Sequence, residues 1–278
     1  MRVWGKNSVP DLAFTKLLLT ALIRTSELLN TDPADRKRWT EICDKLAPYP
    51  MTDGRLAPID HPEFLKSHPD ILVLSPIFPV GEFGLGSSPD QLAMARRTFE
   101  AAKAKDGGHA TVWSAAIAAH LGLADEAVRL LHSYIDRWGL ENGLYLLGPD
   151  LRSPRATKGI MQADAPIAFA TAVNEMLMES LDGVIRVFPG VPQSWTAEFQ
   201  TLRATGAFLV SSRIESGRTR WVRIHSERGG KASVQDPFGT GQATLRPLGL
   251  EAASTIRAGA GGVFRFDTSA GTTYELAS

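Results

Sequence analysis

The stretch MQADAPIAFATAVNEMLMESLDGVIRVFPGVPQSW, residues 161–195, holds the turning point of the chain. Ile167, Phe169, Val173, Met176, Leu177 and Met178, with small Ala168, Ala170 and Ala172 between them, follow helical spacing and leave no wide polar face. That pattern predicts an inner helix over 166–181, buried on more than one side. At Asp182-Gly183 the grammar changes to short runs of β-branched and aromatic residues separated by turn residues. Phe208, Val210, Ser212 and Ile214 alternate with Leu209, Ser211, Arg213 and Glu215, then Ser216-Gly217 turns the chain into Trp221, Val222, Arg223 and Ile224, which reads as a hairpin. Further strands are expected over 232–235, 262–266 and 272–276. Arg218, Arg220 and Arg223 belong to a solvated strand face.

Upstream the pattern is mostly helical. A start at Pro10 leads a segment with Phe14, Leu18, Ala21, Leu22, Thr25, Leu28 and Leu29 on one face, while Leu12, Leu19 and Ile23 lie off it. Burial on more than one side is therefore expected there too. Residues 33–47 carry a single stripe, Trp39, Ile42, Cys43 and Leu46, against a charged remainder. After a stretch over 48–89 rich in proline and glycine, helices are expected at 91–104, 111–121 and 125–138, the middle one apolar nearly all round. Wholly buried helices interleaved with one-sided ones are what a double-layered ring of helical hairpins requires. The chain is read as mainly α with a C-terminal β-domain: part of an α/α toroid over 1–188, then an antiparallel β-sandwich over 189–278.

The composition narrows the function. A length of 278 residues suits two domains, and 30 Lys plus Arg balance 30 Asp plus Glu, which removes the basic footprint of a nucleic-acid binder or a polybasic membrane-surface protein. No nucleic-acid or membrane partner is expected. The single cysteine, Cys43, has no internal partner for a disulfide. The most apolar N-terminal run, Leu17 to Ile23, is too short for a membrane span and lacks a cleavage signal. The expected location is cytoplasmic if Met1 is the natural start, and secreted or periplasmic if a further part precedes it.

HExxH, paired CxxC, GxSxG and GxxxxGK are all absent, and no metal or cofactor is expected. Gly81, Gly84 and Gly86 precede a helix with GxxGxG rather than GxGxxG spacing, so a plain loop is the reading. Asp164 stands where a helix begins, with Pro166 in the first turn. It serves either as a helix-start acid or as a carboxylate projecting into the ring's centre for acid, base or orienting work. His61, Glu63, His68, Asp70 and Glu82 gather on the long loop region. Trp113, one turn from His109, is either core or a platform for stacking a sugar.

Several of these runs, taken in order, resemble the C-terminal part of the α-L-fucosidases of glycoside hydrolase family 95. The family's Phe-Gln-Ile-Asp-Gly-Asn-Phe-Gly helix start is similar to Met161-Gln162-Ala163-Asp164-Ala165-Pro166-Ile167-Ala168, followed by Glu175-Met176-Leu177. Its Asp-Gly-x-Ile turn matches Asp182-Gly183-Val184-Ile185, and its Leu-Pro-x-Leu-Pro-x-x-Trp run resembles the segment from Phe188 to Trp195. Its Leu-Arg-Ala-Arg-Gly-Gly-Phe-x-Val strand resembles the segment from Leu202 to Val210. Weaker echoes are Thr111-Val112-Trp113-Ser114 and Ile77-Phe78-Pro79, and His68 and Leu74 are what remains of the family's histidine-rich loop.

The resemblance implies an (α/α)6 barrel followed by a β-domain, acting on terminal α-linked fucose with inversion. Inversion needs one group to protonate the leaving oxygen and another to activate water on the opposite face. By motif position Asp164 corresponds to the aspartate that polarises the water-holding asparagines, with His68, Trp113 and Gln162 near the sugar. The family's acid glutamate and its asparagines belong upstream of the matched region. Six helices make half of such a barrel, so self-association or a missing N-terminal half is expected to cover the open edge, and the chain alone is expected to be inactive. The alternative is a non-catalytic helical scaffold binding glycan or a protein partner; a related sugar such as α-L-galactose is a further alternative substrate.

Overall fold

The computed structural model describes residues 5–61, 70–103, 107–147, 160–249 and 252–278. Helix α1 (Val9–Leu29) carries a proline in its first turn, and Asn30 closes it in the left-handed region at φ 51°. It buries only Val9, Ala13, Leu19 and Ser26. This corrects the expectation of burial on several sides: Leu18 is 60% exposed and Leu28 77%. The pattern of a helix states what could be buried, but its neighbours decide what is, and α1 packs on α2 (Pro33–Asp44) and on a 3-10 turn (Ile71–Leu74). Helix α2 buries no residue at all; Trp39, Cys43 and Leu46 of its expected stripe are half-buried and Ile42 is exposed.

The stretch read as irregular contains a hairpin of β1 (Met51–Thr52) and β2 (Arg55–Leu56). Its turn, Asp53-Gly54, has φ of 48° and 69°, the positive pair that a tight two-residue hairpin needs. Helix α3 (Pro89–Ala102) starts with a capping box in which the Ser88 hydroxyl accepts from the Gln91 amide while the Gln91 side chain accepts from Ser88.

Helix α4 (Gly108–His120) is buried nearly all round, as its composition predicts. Its neighbour α5 (Ala124–Arg137) buries Ala127, Leu130, Leu131 and Tyr134, the i, i+3, i+4, i+7 stripe of a one-sided helix. A short strand pair, β3 (Tyr145–Leu147) with β4 (Ile160–Gln162), then feeds α6 (Asp164–Leu177). Helices α4 and α6 run parallel. Gly108, at the start of α4, lies against Tyr145, which reaches the start of α6, and at the far ends His120 Nε2 lies 2.9 Å from Glu175. Helix α5 runs back between those ends, for Trp138 at its C-cap meets Gly108.

Two expectations about α6 are corrected. It ends at Leu177 rather than 181, because Met178–Leu181 forms β5, paired antiparallel with β6 (Val184–Val187) around Asp182-Gly183. Both turn residues have positive φ, 52° and 69°, so the tight hairpin takes residues that helical periodicity alone assigns to the helix. Nor is α6 wholly buried: Ile167 is 67% exposed. Gly190 closes the junction, for a Cβ there would lie 2.8 Å from Ala119 Cβ and 3.0 Å from Met176 Cα, backbone that cannot give way.

The remaining strands are β7 (Ala197–Ala204), β8 (Phe208–Glu215), β9 (Arg218–Ser226), β10 (Gly230–Gln235), β11 (Gln242–Pro247), β12 (Ser254–Arg257), β13 (Val263–Thr268) and β14 (Thr272–Ala277). The hairpin expected at Ser216-Gly217 joins β8 to β9. Six strands order as β12-β11-β14-β9-β8-β7 and four as β13-β10-β6-β5. The sheets are antiparallel except at β6 and β10, which meet in parallel at Ile185 and Val234, a departure from the purely antiparallel expectation. Phe266 of the smaller sheet meets Tyr274 of the larger, ring centroids 5.7 Å apart. A helical part is thus followed by a sheet-rich part, and one apolar core runs through both, from Phe99, Ile117 and Trp138 to Ile185, Ile224 and Leu276.

Candidate functional site

The start of α6 is built by the strand pair before it. The β3–β4 register sets Tyr145 opposite Gln162, two residues ahead of Asp164. Ala163 is the N-cap and offers no side chain to the free amides, which leaves Asp164 as the acid of the first turn, where the helix dipole favours a negative charge. Asp164 is exposed and accepts a hydrogen bond from the hydroxyl of Tyr145, which is itself fully buried. Burial, then that hydrogen bond and the charge of Asp164, push the Tyr145 phenol up to about 12. Tyr134, also raised, chiefly by burial and then by the charge of Asp164, carries a buried hydroxyl with no hydrogen-bond partner among the described residues. A largely apolar cleft of about 450 Å³ opens beside this helix start, lined by Tyr134, Leu140, Glu141, Leu144, Pro166 and Phe169.

The other expected site residues are placed unevenly. Trp113 stands on α4, half-buried, and its indole N–H donates to the Phe78 carbonyl at 3.2 Å, so its polar edge is already in use. The exposed His109 ring lies 6.2 Å from it. Gln162 pairs through its backbone in β4. His68 and Glu63 lie outside the described residues, and so does the side chain of Gln162.

The loop acids are engaged elsewhere. Asp70 caps the 3-10 turn through Leu72 N at 3.0 Å, and Glu82 accepts from the Tyr49 hydroxyl at 2.6 Å while pairing with Lys16. Among the described residues no group of three or more His, Cys, Asp or Glu could hold a metal ion, and no helix is long and apolar enough to cross a membrane.

Two features escape the sequence patterns. Tyr145 is one aromatic in a three-residue strand, too short for any periodicity to single it out. A second charged group lies at the opposite ends of α4 and α6, where Glu179, 2% exposed, lies 3.9 Å from His120 and 3.8 Å from Arg186. Burial raises the Glu179 carboxyl, against the pull of His120 and Arg186. This group ties α4 and α6 to β5 and β6, at the end away from Asp164.

Residues 5–177 match the glycosyl hydrolase family 95 catalytic domain, and residues 179–276 match the glycoside hydrolase family 95 C-terminal domain. The chain belongs to glycoside hydrolase family 95.

No curated protein matches. Among solved structures, a GH127 β-L-arabinofuranosidase from Geobacillus stearothermophilus T6 aligns over 89% of this chain and 48% of its own, at 13% identity and a TM-score of 0.32. A structure described as a glycoside hydrolase aligns over 61% of this chain and 32% of its own, at 10% identity and a TM-score of 0.27. A 4-O-α-L-rhamnosyl-β-D-glucuronidase from Fusarium oxysporum 12S aligns over 70% of this chain and 58% of its own, at 8% identity and a TM-score of 0.25. The chain therefore spans about half the length, or less, of the first two of these structures.

Proposed function

We propose that this chain is the C-terminal portion of an inverting exo-glycosidase acting on terminal α-L-fucose, with Asp164 on the base side of the reaction and Trp113, His68 and Gln162 near the sugar. The observation that carries the reading is the Asp164 carboxylate: exposed at the start of α6, at the position of the motif aspartate, and bonded to a buried tyrosine. Membership of family 95 supports the class of reaction. The parallel α4 and α6 with α5 returning between them support the toroid, as inner helices and an outer one. The contact between Phe266 and Tyr274 supports a sandwich of the two sheets. The general acid comes from outside the chain, so the chain alone binds fucose and does not cleave its glycosides. A second copy or an upstream half covers apolar residues such as Leu18, Leu28 and Ile167, whose exposure supports that reading.

Titration with fucose and with a fucose-configured iminosugar tests this, alongside fucose release from 2′-fucosyllactose. Saturable binding that Asp164→Asn weakens at least about tenfold, with no fucose release, is the expected result. Absence of binding to any fucose compound would leave the exposed apolar faces as the operative feature and favour a protein-binding scaffold. Fucose release by the chain alone would overturn its inactivity and require an acid within it.

A further inference from the structure

The glycines at 81, 84 and 86, which spell no nucleotide loop, lie against the β5–β6 hairpin and the end of α4. A Cβ at Gly81 would come 2.9 Å from Leu181 Cδ2, and one at Gly86 2.7 Å from Arg186 Nη2. One at Gly84 would lie 3.3 Å from the His120 carbonyl oxygen and 3.8 Å from Glu179 Oε1. Their missing side chains let the loop close over charged groups at the seam of α4, α6, β5 and β6. Beneath it His120 is 4% exposed, Glu179 2% and Arg186 8%.

This closure leaves Glu179 poorly served. His120 Nδ1 at 3.9 Å and Arg186 Nη1 at 3.8 Å are both too far for hydrogen bonds, and neither carboxylate oxygen has a hydrogen-bond partner among the described residues. His120 Nε2 comes within 2.9 Å of Glu175 Oε2 without the alignment of a hydrogen bond. The remaining charges that act on Glu179 are two more acids, Glu175 on α6 and Asp182 in the turn. Arg96 of α3, at the end of α4, is spent on the Leu121 carbonyl at 2.7 and 3.1 Å, and Glu82 of the loop on Lys16 and Tyr49. An ionised carboxylate buried without a donor is costly; its protonated form costs less, and opening the seam rehydrates the charge.

We propose that residues 81–86, His120, Glu179 and Arg186 form a proton-operated latch between the helical and the sheet-rich parts: the seam is shut while Glu179 carries a proton and loosens when the carboxyl ionises. The latch is independent of any role for Asp164, which stands at the other end of α6. Burial, with Glu175 and Asp182 in support, raises the Glu179 carboxyl above the ordinary 4.5, while His120 and Arg186 oppose the rise. A raised folded value means a contribution that is full below 4.5 and is lost as pH rises through the folded value.

The test is amide hydrogen exchange on the whole chain from pH 5 to 9, expressed as protection relative to an unstructured peptide at each pH so that base catalysis cancels. Protection of residues 178–187 is expected to fall about tenfold across the range while that of 208–226 holds. Glu179→Gln, a neutral stand-in for the protonated acid, is expected to abolish the fall, and to melt above the parent at pH 8 and level with it near pH 4. Gly86→Ala changes no charge but displaces the Arg186 guanidinium, and is expected to deepen the fall.

Protection of 178–187 that stays flat with pH in the parent overturns the latch. So does a fall that Glu179→Gln leaves in place, or one shared equally by 208–226, which would make the effect global. If Glu179→Gln does not fold, the parent and Gly86→Ala decide, since an equal fall in the two overturns a latch that runs through Arg186.

Discussion

Thr98 illustrates how much one side chain can join. Fully buried on α3, its hydroxyl accepts from the Leu56 amide at 3.0 Å and donates to the Met94 carbonyl at 2.9 Å, so the short β1–β2 hairpin is tied to the helix through one oxygen. Thr98→Val keeps the shape and removes the acceptor, leaving the Leu56 N–H buried without a partner. The expected cost is about 1–3 kcal/mol in denaturant unfolding; a variant as stable as the parent would show that water replaces the hydroxyl. Asp164 is the opposite case, legible from sequence as a helix-start acid beside a proline, whereas the buried tyrosine bonded to it was not. The two are separated by nineteen positions that carry no periodic signal across the gap.

Among the elements, the three adjacent strands β11, β14 and β9 share a charged group. Glu275 on β14 is 5% exposed, and Arg223 of β9 and Arg246 of β11 bond its two oxygens at 2.7 and 3.0 Å. Burial would raise its carboxyl, but the hydrogen bonds from the two arginines outweigh that and hold it below the ordinary value of 4.5. A lowered folded value means a contribution that is present above 4.5 and is lost as pH falls through the folded value. Glu275→Gln is therefore expected to melt below the parent at pH 7, by about 1 kcal/mol of stability, with the gap narrowing as pH falls below 4.5. A gap independent of pH would assign the effect to packing.

Element boundaries follow the same lesson. The runs giving α3, α4 and α5 were readable because each carries its own spacing and, for α3, its own capping box. Residues 178–181 continue the apolar pattern of α6, yet pairing with Val184–Val187 makes them a strand. Arg223 was read as solvated, and only its neighbour across the sheet shows that it also serves a buried carboxylate.

For the whole molecule, the telling feature is apolar surface left uncovered. Leu18 and Leu28 on α1, Ile167 on α6 and Trp195 beyond the last helix are all exposed. Sedimentation at micromolar concentration is expected to show association that Leu18→Lys with Leu28→Lys reduces. A parent chain that stays monomeric across the range would leave this surface to an upstream half.

The sequence by itself determined the helical part, the change to strands near residue 182, the hairpin at Ser216-Gly217 and membership of a glycosidase family, because each is written in local spacing, turn residues or an ordered run of motifs. Tertiary structure alone decided which apolar faces are covered, where α6 stops, and that a buried phenol and an exposed carboxylate meet at its start. Burial and long-range hydrogen bonding depend on what the fold brings alongside, and no window of sequence carries that neighbour.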